Sequence, residues 1–551
     1  MPVKAPVCHT QQAQISRRQL MRMGAWTGLG LAGSMFWHAT RCTRLAAAGR
    51  TEQNPRPGGT LTMWIAADPA NFDVHQNSTY VTQHVTAPCY NGLVQRDPLN
   101  PNRIIPDLAE GWEVSPDGRR YTFHLVPEVT FHDGRPCSSA DVKMSLDRLR
   151  QPPAGVISLR QEVFDAVDEI LTPDPLTVII ALKQGSASLL ENLAEGHVAI
   201  YPQHILEKEG NMKKVIVGTG PFRLKKYTRG VSVELERNPH YFVKERPYLD
   251  GITIFIMPDP NTAYAAFRSG RLLMLRLLDI DLGKRVAQEF GDRIVIQRTA
   301  GYRFRALHLN TSREPWLDLR VRQAVDLAID RPACIREVAN GEGAIGGCMP
   351  PTSAWALTPG ELHGIPGYGP DIKANRAHAR RLLAEAGFPG GLKTTMLALQ
   401  GSSSERLSAF LKGQLAQIGV EATVDVRETA DAYDVLNRRA FDTASWETAF
   451  AVADPDSVFS EFFTCQAARN YSTLCLPEVD ELFGQQSQAL DSQERKKLVR
   501  EMDRRILHGH GSLLLHWGNY LTAQWPQVRS WMQHPSLYSN QRMQDVWLAR
   551  P

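Results

Sequence analysis

Between residues 405 and 426 the apolar pattern changes period, and that change restricts the fold more than any other stretch. Leu407, Leu411, Leu415 and Ile418 recur at helical spacing, Gly419 ends the helix, and Val420, Ala422, Val424 and Val426 then alternate as a strand. A helix with one apolar stripe and a strand with one apolar face must be covered by other elements, which places the chain among mixed α/β architectures. The same grammar recurs elsewhere. Tyr121, Phe123 and Leu125 alternate with Thr122 and His124, and Phe131-His132-Asp133-Gly134 turns toward a helix. Ser138 and Asp141 form a capping-box start for that helix, and Val142, Leu146 and Leu149 form its stripe. A first strand is predicted over 60–66, and a helix over 374–386 buries Ala379, Leu382, Leu383 and Ala386 before Gly387. No repeat of about 20 to 50 residues is visible, which disfavours solenoids and propellers.

At about 150 residues per domain, 551 residues predict three or four units. The N-terminus is separate from them. Ser16-Arg17-Arg18-Gln19-Leu20-Met21 precedes an apolar stretch, 23–40, that Gly24, Gly28, Gly30 and Gly33 interrupt. It reads as a signal h-region, too short and weak for a spanning helix. The paired arginines resemble a twin-arginine export signal, and Ala46-Ala47-Ala48 offers the small residues a signal peptidase accepts, so cleavage is expected after Ala48. A mitochondrial presequence shares the Arg-rich, acid-poor character and is the alternative. Arg41 before Cys42 departs from a lipobox, so a soluble exported protein is expected.

The leader also explains the charge. It holds six bases and no acid; without them 56 basic residues face 58 acidic ones, a net −2. Such a body has no broad basic footprint for phosphate backbones, and nucleic-acid binding is disfavoured.

Export places Cys89, Cys137, Cys334, Cys348, Cys465 and Cys475 in an oxidising compartment. Cys465 and Cys475 are the leading pair, because the small loop they close is worth roughly 2–3 kcal/mol. Cys334 with Cys348 is a second candidate, and the count alone does not determine the pairing of Cys89, Cys137, Cys334 and Cys348. No Cys-x-x-Cys or Cys-x-x-His occurs, so no structural zinc is expected. His508, His510 and His516 form the histidine cluster, but their spacing beside Leu513-Leu514-Leu515 points to a structural role. There is no Gly-x-Ser-x-Gly elbow, His-Glu-x-x-His, Gly-x-x-x-x-Gly-Lys or dinucleotide turn after a strand. A secreted hydrolase is the enzyme alternative, since a triad is defined by geometry rather than by order.

Several collinear segments carry a family resemblance. They are Tyr90-Asn91-Gly92-Leu93, Asp107-Leu108-Ala109-Glu110-Gly111-Trp112, Phe131-His132-Asp133-Gly134, Gly218-Thr219-Gly220-Pro221-Phe222, Arg237-Asn238-Pro239-His240-Tyr241, Val321-Arg322-Gln323-Ala324-Val325 and Cys475-Leu476-Pro477-Glu478-Val479-Asp480. Together, over about 60 to 540, the chain resembles the extracellular solute-binding proteins of family 5, the peptide and nickel receptors of ABC importers. The resemblance implies an α/β, type II periplasmic-binding-protein-like two-lobe fold with an additional inserted domain (cluster C type). Lobe I would combine 56–80, 218–300 and 525–551; the inserted domain would be 81–217 and lobe II 301–524. It further implies a periplasmic monomer without a catalytic group or cofactor. That monomer would capture an oligopeptide or peptide-like solute between its lobes and deliver it to ABC transporter permease subunits. A metal chelate or an opine is the alternative ligand.

Candidate contacts follow from the same resemblance. Relatives run the segment before an Asp-Pro pair along the cleft, which here makes Trp446 the leading contact; packing within lobe II is its alternative. Glu447 or Asp454 would have to hold a peptide ammonium, because 450–453 are apolar; Asp454 could instead cap the Asp-Pro turn. Gly218 and Gly220 would let backbone approach the cleft or make a tight interdomain turn. Tyr302, Arg303 and Arg305 fall at the expected crossing into lobe II; a strand would put Arg303 and Arg305 on one face, able to clamp a carboxylate or to form salt bridges. Asp68, Asn71 and Phe72 follow the first strand, where relatives approach ligand.

Overall fold

Two strands far longer than the rest organise the molecule. In the computed structural model, Val295–Leu309 and Ser512–Gln524 run antiparallel, paired from Val295 opposite Gln524 to His308 opposite Ser512. At one end Ile296, Leu521 and Ala523 pack with Trp64, Phe267 and Phe290. At the other, Leu307, Leu309, Leu513 and Leu515 pack with Trp316, Val321 and Leu411. Phe304, Ala306, Leu514 and Trp517 enter a further core, with Val458, Phe459 and Ile506. Both strands therefore pass from one body of apolar packing into another. The structure describes residues 54–550 apart from 78, 159, 278, 279 and 540, so the expected leader and its cleavage site lie outside the described residues.

The first body holds a four-stranded sheet in the order Thr60–Ile65, Gly251–Ile256, Ser232–Arg237, Phe222–Thr228; the first pair is parallel and the others antiparallel. A second, antiparallel four-stranded sheet in the order Ala109–Val114, Arg120–Leu125, Thr177–Leu182, Val167–Asp174 lies between the first and second strands of that body in sequence. Tyr121, Phe123 and Leu125 point into its core, where helix Ser139–Arg150 lays down Val142, Leu146 and Leu149. The Ser138/Asp141 capping box forms as the sequence predicts. Val81, Val85, Tyr90, Leu206 and Met212 pack instead with Leu61, Ile252 and Ile254 of the first sheet.

The long strands belong to a seven-stranded sheet, ordered Met274–Leu277, Ser512–Gln524, Val295–Leu309, Thr443–Ala449, Leu392–Leu399, Val420–Arg427, with Gly343–Ala344 on the second of these. Helix Ser402–Ala416 buries Leu407, Leu411 and Leu415, and Gly419 turns the chain at φ +85° into Val420–Arg427. The expected alternation holds only in part. Val420 and Ala422 are buried under helix Ser402–Ala416, Val424 is half-buried and Val426 is exposed. Helix Ile372–Glu385 buries Ala379, Leu382 and Leu383.

Cys465 and Cys475 form a disulfide, with Cα atoms 4.4 Å apart. The second candidate pair is corrected: Cys334 and Cys348 are both free. Cys334 packs with Leu307 and Val325, Cys348 with Phe304 and Trp517, so the two sulfurs sit in different cores. Among the described residues no helix is long and apolar enough to cross a membrane.

Candidate ligand site along the crossing strands

Midway between the bodies the ladder of the long strands breaks. Ala300 faces Asn519 and Phe304 faces Trp517, leaving Gly301, Tyr302 and Arg303 opposite Gly518 alone. Such a bulge bends the strand and re-aims its side chains. A Cβ on Gly301 would overlap the Tyr520 ring, which explains glycine there. The Tyr302 N–H donates to the Pro535 carbonyl at 2.9 Å, its own carbonyl accepts from Phe450 at 3.1 Å, and its ring stacks on Phe450 at 5.7 Å.

Arg303 and Arg305 lie on one face and converge on Glu447 of the neighbouring strand. Arg305 Nε donates to Glu447 Oε2 at 2.9 Å, and Arg303 Nη1 lies 3.7 Å from Oε1. Arg305 Nη1 also donates to the Ser403 carbonyl, and Arg303 Nη2 to that of Asn519. Burial acts to raise the Glu447 carboxyl, but Arg303 and Arg305 outweigh it and hold it below its ordinary value. Buried His516 neighbours the three; burial and Arg305 bring it down to about 4, so it is neutral at pH 7, and neither ring nitrogen has a partner. Two guanidiniums against one carboxylate leave the cluster with a surplus positive charge.

The Arg303 guanidinium also sits 5.0 Å over the ring of Tyr520, whose hydroxyl burial pushes up to about 12. Arg276 on strand Met274–Leu277 is a further cation near that ring. Its Nη1 donates to His84 Nδ1 at 2.9 Å, while His84 Nε2 donates to the Leu537 carbonyl, which makes His84 a neutral partner. No ion pair reaches Arg276 among the described residues, and burial brings its guanidinium down to about 10. With Trp64, Trp531 and Met274 it lines a largely apolar pocket of ≈ 270 Å³ including its open mouth.

The other predicted residues lie elsewhere. Trp446 is 3% exposed, on the strand face opposite Glu447, packed with Leu397, Leu436 and Tyr471 and edge-on to Tyr433. Asp454 caps helix Pro455–Phe462 and pairs with Arg495, so both its oxygens are engaged. A second cation at Asp454 would have to displace the Arg495 guanidinium. Asp68 accepts from the Tyr227 hydroxyl and the Gly230 N–H, tying the first-strand loop to the hairpin 228–232. Asn71 Oδ1 accepts from the Asp73 N–H in a local turn, and Phe72 is buried edge-on to Tyr227. A Cβ on Gly218 or Gly220 would overlap the Cys89–Tyr90 backbone or ring, so both glycines serve close packing against that segment. His510, at φ +48°, ends helix Ser492–Gly509 and bonds buried Asp326; His508 bonds the Arg504 carbonyl. Among the described residues no cluster of His, Cys, Asp or Glu could hold a metal.

A larger pocket, ≈ 710 Å³ including its mouth, lies between 83–98, 194–199 and 530–546, but its Arg542 is already paired with Asp107. Sequence reasoning missed Arg276, Trp64, Trp531 and Tyr520. One signal was present, a lone cation inside the apolar run 272–278. Nothing local says what that cation meets.

Residues 103–470 match the family model described as bacterial extracellular solute-binding proteins, family 5 Middle. Among curated relatives, the chain is 27% identical over 484 residues to the probable di/tripeptide-binding protein 5 of Pseudomonas aeruginosa (strain UCBPP-PA14), covering 82% of this chain and 89% of that one. Among solved structures it is similar to the ABC transporter-associated periplasmic binding protein DppA from Helicobacter pylori, in complex with peptide STSA. There the TM-score is 0.73 at 24% identity, over 90% of this chain and 99% of that one. It is also similar to AgaA from A. tumefacien R10 in complex with agropinic acid, with a TM-score of 0.69, 26% identity and the same coverage. These likenesses establish the type II two-lobe fold.

Proposed function

Since the chain belongs to the bacterial extracellular solute-binding proteins of family 5, we propose that it is the periplasmic receptor of an ABC importer. It captures a peptide or peptide-like solute between its lobes and hands it to inner-membrane permease subunits. The observation that carries this reading is the pair of crossing strands. Bodies that the chain links through such strands can hinge and close on a solute, and closure buries most of the ligand surface. Binding then favours the closed state by differential affinity alone, with no chemical step.

In this reading lobe I comprises 56–80, 218–300 and 525–551, the inserted domain 81–217 and lobe II 301–524. The protein works as an exported monomer, freed from its leader after Ala48. Tyr302, Arg303, Arg305 and Glu447 form the floor of the cleft at the bulge. With Asp454 committed to Arg495, no free acid replaces the ammonium partner expected in 450–456. The surplus positive charge at Arg303, Arg305 and Arg276 favours a solute rich in carboxylates over a simple dipeptide. The likeness to a protein crystallised with agropinic acid supports the same choice.

The test is ligand-induced stabilisation combined with small-angle scattering, using pools of di- and tripeptides, glutathione, opines and metal chelates. A true ligand raises stability by about 2.7 kcal/mol at a hundredfold excess over Kd and reduces the radius of gyration. Recovery of cleaved peptide would replace the reading with a hydrolase, and a particle that contracts with none of the pools would overturn it.

A further inference from the structure

We propose that the turn 115–119 and the loop 184–188, at one end of the antiparallel four-stranded sheet, form a clasp with residues 486–495, where helix Pro477–Gln488 gives way to helix Ser492–Gly509. The clasp holds the molecule shut and strengthens the binding of every solute alike, through contacts that the solute does not make. Its effect on affinity rests on the solute-binding reading above; the contact itself does not.

Backbone groups make the first contact. The Ala187 N–H donates to the Ser487 carbonyl at 3.1 Å, and Arg495 Nη1 lies 3.5 Å from the Ala187 carbonyl oxygen, 308 positions away in the chain. Ser487 stands in the last turn of helix Pro477–Gln488, where carbonyls have no partner inside the helix, so Ala187 supplies one. Beside it Leu490 lies directly on Gly118. A Cβ on Gly118 would be 3.2 Å from Leu490 Cγ and closer still to its methyl carbons, and the backbone there, at φ +66°, suits glycine as well. Gly118 is buried while its neighbours Asp117 and Arg119 are exposed. On the same two bodies, Asn102 Nδ2 donates to the Thr352 carbonyl at 3.4 Å.

Chain connectivity does not force this meeting. Both connections of the antiparallel sheet lead to the first body, which supplies Thr60–Ile65 before it and Phe222–Thr228 after it. The apolar cores stay separate: Tyr121, Phe123, Leu182 and Leu189 pack in one, Val479, Val499, Met502 and Ile506 in the other. A thin, largely polar contact between two cores is one that parts and re-forms. The neighbouring charges are arranged for the same purpose. Arg96 pairs with Glu191 on one side, and Arg495 with Asp454 on the other. Across the boundary Arg495 attracts Glu191 and Arg96 attracts Asp454, against one repulsion, between Glu191 and Asp454. Each ion pair stays within its own body, so parting strands no charge, which is what makes breaking a buried pair costly. Gly118, Ala187, Ser487 and Leu490 lie outside the linings of both pockets described above. A contact that favours the closed state without touching the solute raises the binding-competent fraction, and so lowers every Kd by the same factor.

The experiment is a reversible staple. Gly118→Cys combined with Leu490→Cys brings two thiols within reach of a disulfide. Small-angle scattering compares the oxidised and reduced forms without solute, with the wild type under both conditions as control. We expect the staple to form and the oxidised protein to have the smaller radius of gyration. Loaded beforehand with glutathione, agropinic acid or a di- or tripeptide, it should release the probe at least about tenfold more slowly than the reduced form, because release needs the clasp open. Leu490→Ser, read by calorimetry, should weaken each probe that binds by one common factor, roughly threefold to tenfold, and leave the unliganded melting temperature near that of the wild type. This variant keeps Gly118 and decides the matter if the stapled one does not fold. A staple that never forms, or one that forms and alters neither radius nor release, would overturn the clasp and leave solute capture standing. So would a Leu490→Ser variant that loses stability but no affinity. A radius that answers to the staple while no probe binds would uphold the clasp and overturn the capture reading.

Discussion

Both carboxylate oxygens of Asp454 accept from Arg495, Oδ1 from Nη2 at 2.7 Å and Oδ2 from Nη1 at 2.9 Å, in a place that neither side chain shares with solvent. Removing one partner of a buried pair strands the other charge, which costs about 3–5 kcal/mol. Asp454→Ala should therefore lower the urea midpoint of the unliganded protein by that order. Asp454→Asn, which keeps an acceptor for the helix cap, should cost less. An ammonium-binding Asp454 would behave oppositely, with normal unliganded stability and lost peptide affinity.

Trp446 sits among Leu397, Leu436 and Tyr471 with almost no exposure. Truncating a large buried aromatic costs about 3–5 kcal/mol in transfer and cavity terms. Trp446→Ala should show that loss in the ligand-free melting curve. A variant that melts like wild type but no longer responds to ligand would move Trp446 from the core to the cleft wall.

Asp503 is fully buried; Oδ1 accepts from the Cys348 N–H at 2.9 Å and Oδ2 has no partner. Burial raises its carboxyl from 3.8 to about 6. The folded protein thus holds this proton more tightly than the unfolded chain does. The associated stability is complete below about pH 4 and disappears as pH rises through about 6, a difference of about 3 kcal/mol. Asp503→Asn should stabilise the protein near pH 7.5 and do little near pH 4.5, read as melting temperatures at both. Equal effects at the two values would mean that Asp503 is not protonated in the acid range.

A Cβ on Gly220 would lie 2.6 Å from the Tyr90 nitrogen and closer still to the Cys89 carbonyl carbon, backbone atoms that cannot swing away. Gly111, on an antiparallel strand, has nothing within 4 Å of the same position. Gly220→Ala should cost about 1–3 kcal/mol through overpacking, while Gly111→Ala should be near neutral. Similar melting points for the two would show that the segment 89–90 yields.

Much of the fold was legible before any coordinates. Helix Ser402–Ala416, the turn at Gly419 and the strand after it follow from an apolar period that neighbours in sequence set, and the Ser138/Asp141 box is likewise local. The exposure of Val426 was not, because burial of a strand face depends on which elements the fold lays over it. The candidate site divides in the same way. Placing Arg303 and Arg305 on one face needed only the alternation of a strand, yet their convergence on Glu447 needed the register between Arg305 and a residue far along the chain.

Local patterning in the sequence alone pointed to the α/β elements, made Cys465 and Cys475 the leading pair and offered the cap as one of two roles for Asp454, since each depends on residues a few positions apart. Tertiary structure alone decided that Trp446 is packed, that Asp454 is paired with Arg495, and that Arg276 meets His84 rather than an acid. A side chain's charge is written in the sequence. Whether that charge is neutralised depends on which distant segments the fold brings to it.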